Sequence, residues 1–537
     1  MGDNLFGGDP MRKSSESRRS ISAVGTGRPD APLVRRLTAG LIATGEPVTT
    51  TAPFTGDTLA VLPQSTAVDV ADAFAAAREA QRSWAALPAH RRAKPFLRLH
   101  DLMLSRQDEI LDLLQWENGK ARHHAFEELL EAASSTLYAA RQAPKVLRPH
   151  RRQGAFPLFT QAVETPHPKG VIGIITPWNY PLALGMDVIP ALLAGNAVVH
   201  KPDNQTALSS LWPRALLQEL GLPADLWQVV LGRSKVVGDP MLEHADFIGF
   251  TGSTAVGRSI AEQAGRRLIG CSLELGGKNP LLVLADADLD HTVDSAVRAC
   301  FASSGQLCVS VERIYVHTSV YEQFVTRFGA RVRAMKLGAQ LDFSADMGSL
   351  TSQGQLDRIS AQVEQARAAG ATVVAGGRPR PDLGPYFYEP TVLTGVTPEV
   401  PLWRDETFGP VVSVYPFENE EEAVRAANDS VYGLNASVFS RDVRRARRLA
   451  ARIEAGTVNI NEGYASAYAS QGAPMGGMKD SGLGRRHGRA GLLKYTEPQN
   501  VSSQHLLGFD PPARMSKANY AELLTASQRT LKSLRIR

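Results

Sequence analysis

Cysteine is nearly missing from this chain: Cys271, Cys300 and Cys308 are the three among 537 residues. So sparse and odd a number argues against a disulfide framework and for a reducing, cytoplasmic setting. A membrane-spanning run is lacking too. The most apolar stretch, about 170–199, is broken by Pro177, Asn179, Pro181, Asp187 and Pro190, and reads as buried core. Arg18-Arg19 is followed, through Ser20 to Pro29, by no apolar segment, so no export signal is expected. Nor is there a basic body. The net charge is +5, but residues 1–37 carry +3 and 509–537 carry +4, which leaves the rest slightly negative. That excludes a nucleic-acid surface and assigns the positive charge to solvated tails.

What is present is an ordinary globular composition, 43% hydrophobic and 21% charged, in a chain too long for one simple core. Residues 1–35 are rich in Gly, Ser, Arg and Asp without periodicity and read as a disordered basic tail. Helical spacing is expected over 68–87, 93–121 and 133–150. Short apolar runs then recur at 171–175, 197–199, 227–230 and 247–250, with helical sequence between them. A second alternating set begins near 280. This rhythm predicts an α/β protein with two doubly wound parallel-sheet domains, whose ligands bind at the carboxyl ends of strands. The stretch 512–537 has Tyr520, Leu523, Leu524, Leu531 and Leu534 at roughly helical spacing and reads as a surface helix.

Several short segments carry chemistry. Pro177-Trp178-Asn179-Tyr180-Pro181 follows the first strand, and its prolines fix the backbone round an amide able to donate to an oxyanion. By itself Asn179 is an ordinary turn residue. Gly252-Ser253-Thr254 opens a helix after the fourth strand, where free N–H groups and the helix dipole suit a phosphate. Glu274-Leu275-Gly276-Gly277-Lys278 sets a carboxylate among apolar residues and glycines. Burial would raise its pKa toward that of a general base; pairing with Lys278 is the structural alternative. Cys300 and Cys271 read as small buried hydrophobes. Cys308 differs because it follows the Gly305 turn, where a thiolate is reachable and open to stabilisation.

Six motifs in order give the resemblance: P-W-N-Y-P (177–181), G-S-T-x-x-G (252–257), E-L-G-G-K-N-P (274–280), G-Q-x-C (305–308), E-T-F-G-P (406–410) and P-M-G-G-M-K-x-S-G-x-G-R (474–485). Over about 40–500 the chain resembles the aldehyde dehydrogenase superfamily, and within it a bacterial NADP-using succinate-semialdehyde dehydrogenase subgroup. The resemblance implies that fold, with a cofactor-binding domain from 36–152 and 166–273. It implies a catalytic domain over 274–485, a small β oligomerisation element from 153–165 and 486–508, and a basic tail over 509–537. It implies Cys308 as nucleophile, Asn179 as oxyanion donor and Glu274, 34 positions before Cys308, as general base for thioester hydrolysis. Lys201, with Pro202, Asp203 and Asn204, would meet the adenosine ribose. Gly252 and Ser253 would meet the pyrophosphate, Glu406 the nicotinamide ribose, and Trp178 and Leu275 would line the nicotinamide site. No metal is called for, and a homodimer or homotetramer is expected.

Asn204 stands where many NAD-preferring relatives carry Glu, so no carboxylate there repels a 2′-phosphate. NADP is therefore expected, with Arg233 and Lys235 as sources of positive charge. Asp203 argues the other way, and NAD use stays open. The substrate implied is succinic semialdehyde, in 4-aminobutyrate catabolism. Against it, the segment Leu182 to Ile189 has Asp187 and no Arg to meet a carboxylate. Tyr464 and Tyr468 favour a medium-chain or aromatic aldehyde instead. A non-catalytic binding protein on the same fold would be expected to have lost Cys308 or Glu274, and a CoA-acylating enzyme Glu274. Both residues are present.

Overall fold

The structure is a computed structural model that describes residues 27–156, 159–505 and 508–535. Two mixed sheets, each mainly parallel, form its body. The first has six strands, with Val171–Ile175 at its centre. Ala197–Lys201 and Trp227–Val229 are added on one side, Phe247–Thr251 and Gly270–Glu274 on the other. The chain winds outward from Val171–Ile175 in both directions, so the carboxyl ends of five parallel strands open on one edge. The short strand Gly482–Leu483 closes the sheet antiparallel to Gly270–Glu274.

The second sheet has seven strands. Asn279–Val283 lies between Val311–His317 and Asn435–Phe439, and the outermost strand, Thr372–Ala375, runs antiparallel to its neighbour. Both central strands are wholly apolar or buried, as a parallel sheet covered on two faces requires. A separate three-stranded antiparallel sheet joins His150–Arg152, Thr160–Pro168 and Thr496–Gln504.

Several sequence-based expectations are corrected. The tail read as disordered through residue 35 already holds the helix Ala31–Thr38. Asp30 caps it by accepting from the Leu33 N–H at 2.8 Å, and Leu37 buries against the core. Residues 1–26 lie outside the described part. The helix expected over 93–121 is two, Lys94–Ser105 and Gln107–Asn118, broken at Arg106 without Pro or Gly. The one expected from 133 begins at Arg122 and runs to Val146. Within 486–508, Gly488–Leu493 is a helix, and the strand of the small sheet starts only at Thr496. The surface helix expected within 512–537 is present as Lys517–Ser533, pinned by buried Tyr520, whose hydroxyl donates to the Gly508 carbonyl at 2.7 Å.

Candidate active site

Each chemical segment leaves the carboxyl end of a parallel strand or joins the two sheets. Val171–Ile175 delivers Trp178 and Asn179. Phe247–Thr251 delivers Gly252 and Ser253. Glu274 ends its strand, and the chain then crosses through Leu275 and Gly276 into the second sheet. These residues, with Cys308, Glu406 and Phe408, line one cleft of about 200 Å³.

Cys308 sits at the end of a strained turn. Ser303 (φ 49°), Ser304 (φ 58°) and Gly305 (φ 68°) are left-handed in succession, and each of the two serines costs about 1–2 kcal/mol in that conformation. Hydrogen bonds offset the cost: Tyr180 to Ser303 at 2.9 Å, and the Ser304 hydroxyl to the carbonyls of Gly348 and Ser349. A Cβ at Gly305 would lie 2.1 Å from the Gly409 carbonyl, so the nucleophile turn and the E-T-F-G-P loop meet backbone to backbone. Downstream, Asn279 Nδ2 donates to the Cys308 carbonyl at 2.8 Å and the Ser310 carbonyl at 2.7 Å. The nucleophile is thus fixed on both sides. Burial pushes its thiol up to about 12, with the carboxylates of Glu406 and Glu274 adding to the effect. Burial thus works against the stabilised thiolate expected after the Gly305 turn.

Asn179 is buried and held from below. Its carbonyl accepts from Lys120 Nζ at 2.8 Å and Asn118 Nδ2 at 3.3 Å. Lys120 also pairs with Glu128, whose other oxygen accepts from the N–H groups of Leu182 and Ala183. One Asn179 side-chain N–H is spent on the Gln306 carbonyl at 3.0 Å, which leaves the second free to donate.

Glu274 does not pair with Lys278. That lysine binds Glu312 at 2.7 Å, and Glu312 also accepts from the N–H groups of Thr407 and Phe408, anchoring the loop that carries Glu406. The Glu274 side chain is buried, and its Oε1 has no hydrogen-bond partner among the described residues. Burial lifts its pKa to about 7, against the opposing pull of Arg486 and Lys494. Glu406 accepts from the Gly277 N–H at 2.9 Å and is likewise raised to about 7, by burial and by Glu312.

A buried carboxylate near neutrality, an amide with a free donor and a thiol therefore share one cleft. The family pattern described as the aldehyde dehydrogenase family matches residues 42–501. The chain belongs to the aldehyde dehydrogenase family. It is 53% identical over 482 residues to a putative NADP(+) succinate-semialdehyde dehydrogenase of Mycolicibacterium smegmatis, covering 90% of this chain and 93% of that one. Among solved structures it resembles an NADP-dependent enzyme of E. coli, with TM-score 0.82 and 33% identity over 86% of this chain and 95% of the other. It also resembles the betaine aldehyde dehydrogenase of Staphylococcus aureus in complex with NAD+, with TM-score 0.82 and 32% identity over 88% and 96%.

The residues fit a nicotinamide dinucleotide. The helix Thr254–Arg266 begins at the cleft with no side-chain cap on its first turn, leaving N–H donors for phosphate. At Gly276 a Cβ would lie 2.6 Å from Glu406, so the cleft floor there admits no side chain. Lys201, Pro202, Asp203 and Asn204 do not line this cleft. They follow the carboxyl end of Ala197–Lys201, next to the strand that carries the cleft's Trp178 and Asn179. Lys201 is nearly buried, and among the described residues its ammonium donates to the Pro202 carbonyl at 3.3 Å. The Asp203 carboxylate is turned onto the Gln205 N–H at 2.9 Å, and the Asn204 amide donates to Gln64 at 2.9 Å. Arg233 and Lys235 are exposed, after the adjacent strand Trp227–Val229.

Sequence reasoning missed the supporting residues Asn118, Lys120, Glu128, Asn279 and Glu312. Asn279 lay inside a motif already singled out. The others bear no periodic or spacing signal, because each acts across a long stretch of chain.

Proposed function

We propose that this aldehyde dehydrogenase oxidises succinic semialdehyde to succinate, with NADP as hydride acceptor, through a thioester on Cys308. The observation that carries the chemistry is the buried carboxylate of Glu274, whose Oε1 has no hydrogen-bond partner among the described residues, on the same cleft as Cys308. The thiol proton passes to solvent as sulfur bonds the aldehyde carbon and the carbonyl π pair moves onto oxygen, giving a thiohemiacetal oxyanion on Cys308. The free N–H of Asn179 and the backbone N–H of Cys308 would hold the oxyanion. The nicotinamide cofactor, when bound, supplies the acceptor for the hydride that leaves that carbon. Glu274 then takes a proton from water as its oxygen attacks the thioester, the carbon–sulfur bond breaks, and the thiol is re-protonated. Because Glu274 serves a hydrolytic step, water and not CoA is the acyl acceptor.

Two points support NADP. No carboxylate stands at Asn204, and the Asp203 carboxylate is turned onto the Gln205 N–H. The name of the Mycolicibacterium relative points the same way, as it does for the substrate. A specific observation favours a second reading. Tyr180, Tyr464 and Tyr468 make edge contacts at 6.2–6.5 Å and pack with Cys308 in one apolar cluster, which suits a medium-chain or aromatic aldehyde. Asp187, in the segment that lacks an Arg, pairs instead with Arg486 at 2.9 Å.

Specificity constants for succinic semialdehyde, hexanal and benzaldehyde, each with NAD and NADP, test both readings. The expected result is highest activity with succinic semialdehyde and NADP. Higher constants for hexanal or benzaldehyde would replace the substrate; a strong NAD preference would replace the cofactor.

A further inference from the structure

A second cavity, of about 240 Å³, opens between the helices Arg122–Val146, Leu289–Phe301 and Tyr321–Arg333. It shares no lining residue with the nucleotide cleft. Two of its wall residues lead toward the nucleophile. Ala302, with the smallest possible side-chain bulk after glycine, lines the cavity and also packs in the apolar cluster that contains Cys308, Leu307 and Tyr464. Arg298 lines the cavity, and its guanidinium lies 5.6 Å from the centre of the Tyr464 ring. Ala302 and Arg298 thus connect this cavity with the apolar cluster against which Cys308 packs.

That cation is incompletely used. Among the described residues its one hydrogen bond goes to Glu462, and Glu127 stands at 3.8 Å, an ion contact too long for a hydrogen bond. Its side chain is 41% exposed, with most of its five N–H donors unspent. Glu127 is engaged elsewhere, accepting from the Tyr464 hydroxyl at 2.9 Å. The neighbouring His124 is buried, and its Nδ1 has no partner among the described residues. The other charges facing the cavity cancel in part: Arg331 binds Asp294 at 3.0 Å, and Asp346 accepts from the Lys336 N–H.

We propose that Arg298 is the specificity-determining cation that receives the distal carboxylate of an aldehyde acid entering by this cavity past Ala302. The proposal rests on the succinic semialdehyde reading and supplies the arginine that the Leu182–Ile189 segment lacks, from a different helix. A guanidinium takes a carboxylate through paired N–H bonds, displacing the long contact to Glu127. A neutral aldehyde has nothing to offer that group.

The test compares Arg298→Met and Arg298→Lys with the natural enzyme on succinic semialdehyde, on its one-carbon-longer homologue glutaric semialdehyde, and on butanal. Each kcat and KM is measured separately, on variants whose melting matches the parent. Loss of a charged hydrogen-bonded contact corresponds to roughly tenfold to a hundredfold in binding. The Met variant should lower the ratio of kcat/KM for the acid aldehydes over butanal by about that factor, mainly through KM, and the Lys variant should recover part of it. An unchanged ratio overturns the role of Arg298. A parent enzyme that favours glutaric over succinic semialdehyde, with the ratio still falling in the Met variant, overturns the substrate reading and leaves Arg298 standing. A parent indifferent to the carboxylate overturns both.

Discussion

Glu274 and Cys308 are tuned in the same direction by the same cause, and the results differ because one is an acid to be ionised and the other a nucleophile. Desolvation places Glu274 at about 7. A raised carboxylate is protonated below that value and ionised above it, so thioester hydrolysis should rise as pH passes through about 7. Replacing it as Glu274→Gln should slow that step by roughly 10²–10⁴ and flatten the pH profile, while the first burst of reduced cofactor survives. Stopped-flow absorbance separates the two phases; a variant that loses the burst as well would deny Glu274 a role confined to hydrolysis. Cys308, at about 12, is a protonated thiol at neutral pH. Its thiolate fraction is some three orders of magnitude below that of a free cysteine, partly offset by the greater nucleophilicity of the more basic sulfur. Iodoacetamide should therefore label Cys308 about a hundredfold more slowly than a peptide thiol in cofactor-free enzyme. Rapid labelling, followed by mass spectrometry, would contradict this.

At the scale of elements, the strand-end placement of the site was legible in advance, because apolar runs of three to five residues alternating with helical spacing have few other readings. The motif residues were legible because glycine, proline and a lone cysteine stand out. What holds them was not. Lys120 reaches the Asn179 carbonyl from 59 residues away, and Glu312 anchors a loop 95 residues on. Such side-chain to backbone bonds leave no local pattern. The break at Arg106 was hidden for a related reason, since no helix-breaking residue marks it. The turn before Cys308 gives this scale its prediction. Gly305→Ala adds a methyl group 2.1 Å from the Gly409 carbonyl at a φ of +68°. It should push apart the nucleophile turn and the Glu406 loop, cost about 1–3 kcal/mol in chemical denaturation and reduce turnover more than stability. Full activity in this variant would mean that the two loops tolerate separation.

In the whole molecule, the three-stranded sheet stands apart from both cores. Its outer strand among the described residues, Thr496–Gln504, is exposed along nearly its whole length and lies at the edge of the sheet, paired with Thr160–Pro168. A long exposed edge invites a second chain, and we propose this sheet as the assembly element. Ser502→Pro should lower the mass measured by light scattering, because His505 and Tyr495 bond inward and the alternation turns the Ser502 N–H to the outer edge, where proline removes it; an unchanged mass would send the search for the interface elsewhere. The carboxylate and the nucleophile, meanwhile, belong to different sheets: Glu274 ends a strand of the first, and Cys308 leads into a strand of the second. Their alignment depends on two bodies keeping station, and contacts between domains usually yield to heat before cores do. Warming should consequently silence turnover several degrees below the temperature at which circular dichroism reports melting, and brief cooling should bring it back.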